Sequence, residues 1–197
     1  MSMARATSDN NDSGAPFSGI EVVRGVEVHI ERLKNIAPDD LTDLCEATDQ
    51  AILDGGGFGW LEPPERWRME NFWNGVALMP ERFLWVGRLD GIIGGAVQLH
   101  RSPKNNEAQR YVGRISGLFV APWARGFGLS RRLISSAEAG GRKLGMEVIN
   151  LDLRVTQGAA IAVMEKLGYT QIGEHPNYAK VNGKWIKGLY YTKRLTR

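Results

Sequence analysis

One short segment, residues 120–134, constrains the fold of this chain more than any other. An apolar stretch ends at Pro122, the chain passes through Gly126 and Gly128, and apolar residues then recur at helical spacing. This order predicts a strand that turns through glycines into a helix. The first N–H groups of such a helix have no partner within it, and together with the helix dipole they favour an anion. The segment therefore predicts a binding site for a phosphate or a pyrophosphate.

Three arginines, Arg125, Arg131 and Arg132, add positive charge around this turn. The glycines are not followed by Lys and then Ser or Thr, which excludes a P-loop. Position 131 is Arg where a dinucleotide-binding fingerprint needs Gly. The phosphate therefore belongs to a ligand of another class.

The pattern Arg-x-x-Gly-x-Ser, formed by Arg125, Gly128 and Ser130, resembles motif A of the GNAT superfamily of acyl-CoA N-acyltransferases. That motif ends in Gly or Ala, but Ser130 is also small enough to let the backbone approach a phosphate. A second block, residues 154–169, contains Glu-Lys-Leu-Gly-Tyr and is similar to the family's second signature, which ends in Glu-Lys-Leu-Gly-Phe. The resemblance covers residues 26–195 and is sharpest between 111 and 169.

The resemblance implies an α/β (α+β) GNAT fold. This fold is a mixed, mostly antiparallel sheet of about seven strands with a splayed parallel pair, flanked by about four helices. Hydrophobic periodicity predicts the elements separately. Predicted strands cover 22–33 (one strand or a hairpin), 83–88, 92–100, 111–120, 147–153, 169–174 and 185–194. Helices are predicted from Pro38, from near Pro63, after the glycine turn, and over 157–167.

Composition predicts one domain, residues 20–197, behind a disordered tail, residues 1–19. The tail is rich in Ser, Asn, Asp, Ala and Gly and lacks the apolar centre of a signal peptide. The chain has no apolar run near the ~20 residues that a membrane span needs. Cys45 is the single cysteine, so an internal disulfide is excluded. We therefore expect a cytoplasmic protein without a membrane partner.

The resemblance implies acetyl-CoA as co-substrate and no metal. The backbone of Leu118, Phe119 and Val120 would pair with the pantetheine amides and stabilise the oxyanion of a tetrahedral intermediate. Gln157 stands in the place of the family's turn Asn. Residues expected around the pyrophosphate are Arg125, Gly126, Phe127, Gly128, Leu129, Ser130 and Arg131. The acceptor amine would attack the thioester directly, so no covalent nucleophile is expected.

Two departures from the family concern the proton transfers. The family often carries a Tyr in its last helix that protonates the departing thiolate, but the alignment puts Met164 there, and Met cannot donate a proton. Strand positions that often carry a Glu or His base fall on Arg114 and Ser116. Because an arginine stays protonated, it cannot be a base. The catalytic candidates are His175, Tyr178 and Ser116, with His175 and Tyr178 expected in one loop.

The acceptor site is predicted from Arg114, Trp60 and His100. Alternation with Ser116 and Leu118 predicts that Arg114 points inward, where it would suit a carboxylate or a phosphate. Trp60 ends a glycine-rich segment, 54–60, that is either a lid over the acceptor or an ordinary surface loop. Three aromatic residues of the second helix, Trp67, Phe72 and Trp73, are predicted to pack in the core.

We therefore predict an N-acetyltransferase that moves the acetyl group of acetyl-CoA to a primary amine of a small, anionic molecule. The alternatives are a protein or peptide N-acetyltransferase and, because the usual acid and base are missing, a non-catalytic acyl-CoA-binding regulatory module. The resemblance leaves a homodimer through the last strands open. A net charge of +3 does not demand a nucleic-acid partner. tRNA binding by the basic C-terminal segment would instead show a steep salt dependence.

Overall fold

A computed structural model describes residues 19–56 and 58–196 of the chain. Apart from Gly19, the predicted tail lies outside the described residues. The strands are β1 (Ile20–Val23), β2 (Val26–Leu33), β3 (Arg82–Leu89), β4 (Ile92–Arg101), β5 (Val112–Val120), β6 (Val148–Arg154), β7 (Thr170–Val181) and β8 (Lys184–Arg194). The helices are α1 (Pro38–Leu53), α2 (Arg66–Leu78), α3 (Leu129–Lys143) and α4 (Gly158–Lys166), with short 3-10 turns at Glu107–Gln109 and Pro122–Ala124.

The strands form one eight-stranded sheet in the order β1-β2-β3-β4-β5-β6-β8-β7. The sheet has one strand more than the predicted number of about seven, because the opening segment is a hairpin. The hairpin turns at Arg24 and Gly25, whose φ angles are 53° and 80°. An Asp90-Gly91 turn joins β3 to β4 with φ angles of 47° and 88°. Every described strand pair is antiparallel except β5 with β6. The predicted mixed sheet with one parallel pair is confirmed.

The helices bury the apolar faces that the sequence predicts, with one exception. In α1 the buried residues include Leu44, Ala47 and Ala51. In α2 Trp73 is fully buried, but Trp67 is 62% exposed, so its predicted place in the core is wrong. Six residues turn a helix through about 240°, which puts these two tryptophans on different faces. No helix of the described residues is long and apolar enough to cross a bilayer.

The parallel strands β5 and β6 separate after only three residue pairs, the last of which is Arg114 with Asn150. A bulge in β5 lies just beyond this point, because Ser116 pairs with Gln98 while Phe119 already pairs with Ala96. Gly117 in the bulge has a φ of 58°, and a Cβ there would lie 2.9 Å from Nε2 of Gln98. The bulge ends the regular alternation of β5 after Ser116 and bends the strand away from β6.

Strand β7 runs through the segment that was predicted as a loop, His175 to Tyr178. The register of β7 against β8 shifts between His175 and Ala179. Pro176 lacks an N–H group, but β7 is an edge strand and the shift is a bulge, two places where a strand accepts proline. The bulge brings the Tyr178 ring over Gly188, where a Cβ would collide with it.

Candidate active site

Two adjoining cavities occupy the gap between β5 and β6. The turn cavity, of about 570 Å³, reaches from the end of β5 to the start of α3, and the inner cavity, of about 430 Å³, reaches from β5 and β6 to β7. Leu118, Gln157 and Ala160 line both of them. The gap therefore holds a continuous channel that begins at the glycine turn.

The turn cavity is built around the predicted phosphate site. Gly126 and Gly128 both have positive φ, and Gly128 precedes α3 without a side-chain cap, so the first N–H groups of the helix are free to bind an anion. Phe127 is the exception among the expected pyrophosphate residues, since its ring packs against the core. The expected residues that line the cavity are Arg125, Gly126, Gly128, Leu129, Ser130, Arg131 and Gln157.

Carboxylates from two distant segments hold the arginines of this turn. Asp54, just after α1, forms an ion pair with Arg125. Glu21 of β1 accepts from Arg132 at 2.6 Å, and a Cβ on Gly128 would lie 3.7 Å from Nε of Arg132. The turn is therefore surrounded by positioned cations.

The last residues of β5, Leu118, Phe119 and Val120, form the wall of the turn cavity. On one side β5 pairs with β4, but on the other side it has no described strand partner after Arg114. The Phe119 ring is only 4% exposed and lies 5.3 Å from the Phe58 ring, between centroids. This residue therefore offers a ligand its backbone rather than its side chain.

The inner cavity contains a carboxylate that the sequence analysis missed, Asp152. It lies on β6 between the buried Leu151 and Leu153, and its side chain is 13% exposed. Oδ1 accepts from Arg114 at 2.6 Å, and Oδ2 accepts the hydroxyl of Tyr178. An Asp flanked by leucines in a predicted central strand is the signal that could have identified it.

Tyr178 is held as a neutral phenol beside Asp152. Burial and, secondly, the hydrogen bond to Asp152 raise the pKa of Tyr178 to about 12. Met164, where the family often has a Tyr, is 1% exposed in the cavity wall. A phenol from β7 thus stands in the same cavity as the methionine.

Arg114 does not point inward as predicted, because its side chain is 63% exposed. Its neighbours Gly113 and Ile115 take the buried positions of β5, so Arg114 lies on the opposite face. There it contributes to a third cavity, the sheet groove, of about 370 Å³. The residues lining the sheet groove are Arg114, Asn150, Leu151, Asp152, Ile172, Tyr178, Tyr190 and Tyr191.

His100 and Ser116 form a polar pair at the opposite side of the channel from Asp152. Nε2 of His100 lies 2.6 Å from Oγ of Ser116, and Ser116 lines the inner cavity. Burial, together with the charges of Arg82 and Arg114, lowers the pKa of His100 to about 4. The imidazole is therefore neutral near pH 7 and resists protonation, so it is a weak base.

Two predicted site residues lie apart from the channel. His175 is exposed, and its Nδ1 accepts from the N–H of Asn177 at 3.0 Å. Trp60 packs against Phe58 and Phe72, with ring centroids 6.3 and 5.2 Å away. Neither residue is among the described residues that line the inner or the turn cavity. The described residues also contain no group of three or more His, Cys, Asp or Glu side chains arranged to hold a metal ion.

Comparison with known proteins agrees with this geometry. The sequence model of the acetyltransferase (GNAT) family matches residues 53–169. The chain belongs to the GNAT acetyltransferase family. It is 50% identical over 131 residues to an N-acetyltransferase from the hisH–hisA intergenic region of Azospirillum brasilense, a match that covers 66% of this chain and 78% of that protein.

Solved GNAT structures share the fold at low identity. A phosphinothricin acetyltransferase from Sinorhizobium meliloti, in complex with AcCoA, aligns with a TM-score of 0.70 and 20% identity over 84% of this chain and 88% of that one. A ribosomal-protein-alanine N-acetyltransferase from Brucella melitensis aligns with a TM-score of 0.71 and 19% identity over 84% and 99%. These likenesses confirm the predicted GNAT fold and leave the acceptor open, because one relative is named for a small molecule and the other for a protein.

Membership of the GNAT family makes this protein an acyltransferase, the enzyme class predicted from the sequence. The non-catalytic alternative rested on the missing acid and base. The inner cavity contains a carboxylate, Asp152, and a phenol, Tyr178, that the sequence analysis had not brought together.

Proposed function

We propose that this GNAT protein transfers the acetyl group of acetyl-CoA to a primary amine of a small, anionic molecule. The observation that carries the proposal is the continuous channel between β5 and β6. It has an anion-binding turn at one end and the Asp152 carboxylate at the other. A donor with a phosphate at one end and a thioester at the other suits the first part, and an ammonium suits the second.

The donor would lie along the turn cavity. The free N–H groups at the start of α3 and the side chain of Arg131 would bind the pyrophosphate. The unpaired edge of β5 from Leu118 to Val120 would hydrogen-bond the pantetheine arm and the thioester carbonyl. Backbone donors at that carbonyl also stabilise the oxyanion that forms when the amine attacks.

The acceptor would bind in the inner cavity with its ammonium at Asp152. Asp152 or a water beside it accepts one ammonium proton, and the free amine then forms a bond to the thioester carbon. When the tetrahedral intermediate collapses, the C–S bond breaks, the nitrogen releases its second proton to water, and the thiolate is protonated. Tyr178 lines this cavity, so we assign it the proton donation to the thiolate, with Asp152 returning a proton to the phenol.

The remaining catalytic candidates receive smaller roles. Ser116, held by the neutral His100, offers the acceptor a hydrogen bond rather than a base. His175 is exposed and lines neither cavity, so Tyr178 is the better supported candidate in β7. Trp60 would act through Phe58, whose side chain lines the inner cavity.

Arg114 supports the anionic character of the acceptor. Its guanidinium lies beside Asp152 at the border between the inner cavity and the sheet groove. An acceptor with an ammonium next to a carboxylate or phosphate would find a partner for each charge within this pair. An amino-acid-like molecule has this arrangement.

The sheet groove favours a second candidate, a peptide or protein N-terminus. The groove is open to solvent and its wall includes the exposed Ile172 and Tyr190. A polypeptide could lie there with its terminal amine at Asp152. Such an acceptor has no carboxylate next to its amine and would leave Arg114 without a new partner.

A thiol-release assay with acetyl-CoA separates these functions. The panel consists of α-amino acids, the matching amino-acid amides and short peptides with free N-termini. Faster release with amino acids than with their amides supports the proposed function, and faster release with peptides supports the second candidate. An acetyl-CoA-induced rise in Tm without release on any acceptor would contradict both.

Two further expectations belong to this proposal. We place the reaction in the cytoplasm, since the single thiol, Cys45, is fully buried and burial raises its pKa to about 11, which suits a thiol with no disulfide partner. The homodimer stays a prediction. The outer edge of β7 has no neighbour among the described strands, and light scattering would test whether a second copy covers it.

A further inference from the structure

The β1–β2 hairpin brings a fourth arginine to the glycine turn. A Cβ built on Gly126 would lie 3.7 Å from Nη1 of Arg24, although the two residues are far apart in the sequence. No motif in the sequence connects them. The guanidinium of Arg24 therefore lies at the glycine turn that leads into α3.

The hairpin is fixed in this position by two kinds of contact. Glu21 of β1 forms its 2.6 Å ion pair with Arg132 in the first turn of α3. Val23 and Val26, on either side of the hairpin turn, pack against the hydrophobic core. The position of the hairpin beside the glycine turn thus follows from packing and from an ion pair.

The backbone of Arg24 is unusual for a long side chain. Its φ of 53° lies in the left-handed region, and Gly25 follows with 80°. Two-residue hairpin turns with two positive φ angles strongly favour Asn-Gly. A residue that fits the turn less well than Asn therefore occupies the hairpin position whose side chain reaches Gly126.

The side chain of Arg24 also differs from its neighbours in its contacts. Arg125 and Arg132 each face a carboxylate, Asp54 and Glu21. Arg24 makes no side-chain hydrogen bond or ion pair with any residue in the described ranges 19–56 and 58–196. It is an exposed cation with its hydrogen-bond donors free, next to a site that suits phosphate.

We propose that Arg24 binds a phosphate group of the acyl-CoA donor, so that the β1–β2 hairpin is part of the donor site. The inference rests on the proposed acetyl-CoA site. The phosphate is either one of the pyrophosphate groups or the 3′-phosphate, since both offer a guanidinium the same oxygen ligands. A bound donor would then contact Arg24 from the hairpin and the N–H groups of α3 from the other side.

The test uses the full chain with Arg24→Asn, measuring the Kd of acetyl-CoA by calorimetry at low salt. We expect binding about tenfold weaker, as for the loss of one exposed charge-assisted hydrogen bond. The Tm should not fall, because Asn suits the left-handed turn at least as well as Arg. Arg24→Gly should give the same loss of affinity and so checks that the turn is not responsible.

Lys34→Asn is the matched control. It also removes one exposed positive charge and lies just past the other end of β2, roughly 26 Å away along eight strand residues. The control should leave the Kd unchanged within twofold. If it weakens binding as much as Arg24→Asn, the effect is general electrostatics, and the inference is overturned.

One shortened donor, dephospho-acetyl-CoA, identifies the phosphate. Dephospho-acetyl-CoA lacks the 3′-phosphate, so equal affinity for the wild type and Arg24→Asn would assign the contact to that group. A loss as large as with acetyl-CoA would assign it to the pyrophosphate. If Arg24→Asn binds acetyl-CoA within twofold of the wild-type affinity, the inference about Arg24 is overturned and the proposed function is not. If the wild type does not bind acetyl-CoA, the proposed function is overturned.

Discussion

The hydroxyl of Tyr178 donates a hydrogen bond to Oδ2 of Asp152, and the two residues reach each other from strands that are not neighbours. Strand β8 lies between β6 and β7, and Tyr178 crosses over it at Gly188. The contact depends on the bulge in β7 and on the absence of a side chain at position 188. It joins a carboxylate and a phenol at the one cavity wall where the proposed reaction needs proton transfer.

Replacing Asp152 with Asn should lower kcat/KM about 100-fold, because the amide can bind the acceptor but cannot take its proton. Asp152→Glu, which keeps a carboxylate, should recover part of the activity. Glu174→Gln is the control, since it also removes one carboxylate from an ion pair, here an exposed one with Lys187. Steady-state kinetics with the amine that reacts fastest in the panel would test this prediction. Wild-type activity in Asp152→Asn would rule out Asp152 as the proton acceptor.

Tyr178→Phe should lower kcat by about 10- to 100-fold and change KM little, since the ring stays and only the proton donor is lost. Tyr111→Phe, one residue before β5, removes a comparable hydroxyl that contacts Arg110 and should have no effect on kcat. A solvent isotope effect on kcat should be present in the wild type and reduced in Tyr178→Phe. An unchanged kcat would remove Tyr178 from the chemistry.

A methyl group at position 188 should displace the Tyr178 ring. Gly188→Ala puts its Cβ 2.2 Å from Cγ of Tyr178, so we expect a loss of about 1–3 kcal/mol in the free energy of unfolding and the kinetic defect of Tyr178→Phe. Gly173→Ala on β7 meets no atom within 4 Å and is the matched control for stability. Urea titration and kcat measured on both variants would show whether the strand crossing holds Tyr178 in place.

Arg114→Ala should raise KM for anionic acceptors only. Each amino acid is compared with its amide as an internal control. The ratio of kcat/KM for the amino acid to kcat/KM for the amide should fall about tenfold, as expected for the loss of one exposed charge-assisted contact. The substitution also removes the ion-pair partner of Asp152. An unchanged kcat with the amide would show that Asp152 still accepts the proton. No change with either acceptor would eliminate Arg114 from acceptor recognition.

The buried His100 should make the fold less stable in mild acid. Burial and the neighbouring arginines lower its pKa from 6.5 to about 4, so between these two pH values the unfolded chain binds a proton that the folded chain does not. Its contribution to stability is therefore complete above pH 6.5 and is lost progressively as the pH falls towards 4. His100→Gln should show a smaller drop in Tm between pH 7.5 and 5 than the wild type, whereas the exposed His175→Gln should match the wild type.

The sequence predicts the local geometry of the glycine turn better than that of the inner cavity. The turn at Gly126 and Gly128 is local, and its residues fold next to one another in the sequence, so motif and periodicity were sufficient. The partnership of Asp152 with Tyr178 depends on a bulge and on a strand crossing, neither of which has a periodic signal. For Arg114, alternation predicted an inward side chain, and this is wrong because the side chain is exposed to solvent.

The brief pairing of β5 with β6 has one more consequence. Three residue pairs are the direct backbone connection between the first five strands and the last three. A donor arm hydrogen-bonded along the unpaired edge of β5 would act as a ninth strand while it is bound. It would link the first five strands to the last three. Amide hydrogen exchange in β6 and β8 should then slow when the donor is bound. The exchange rate of these C-terminal strands would therefore report donor binding.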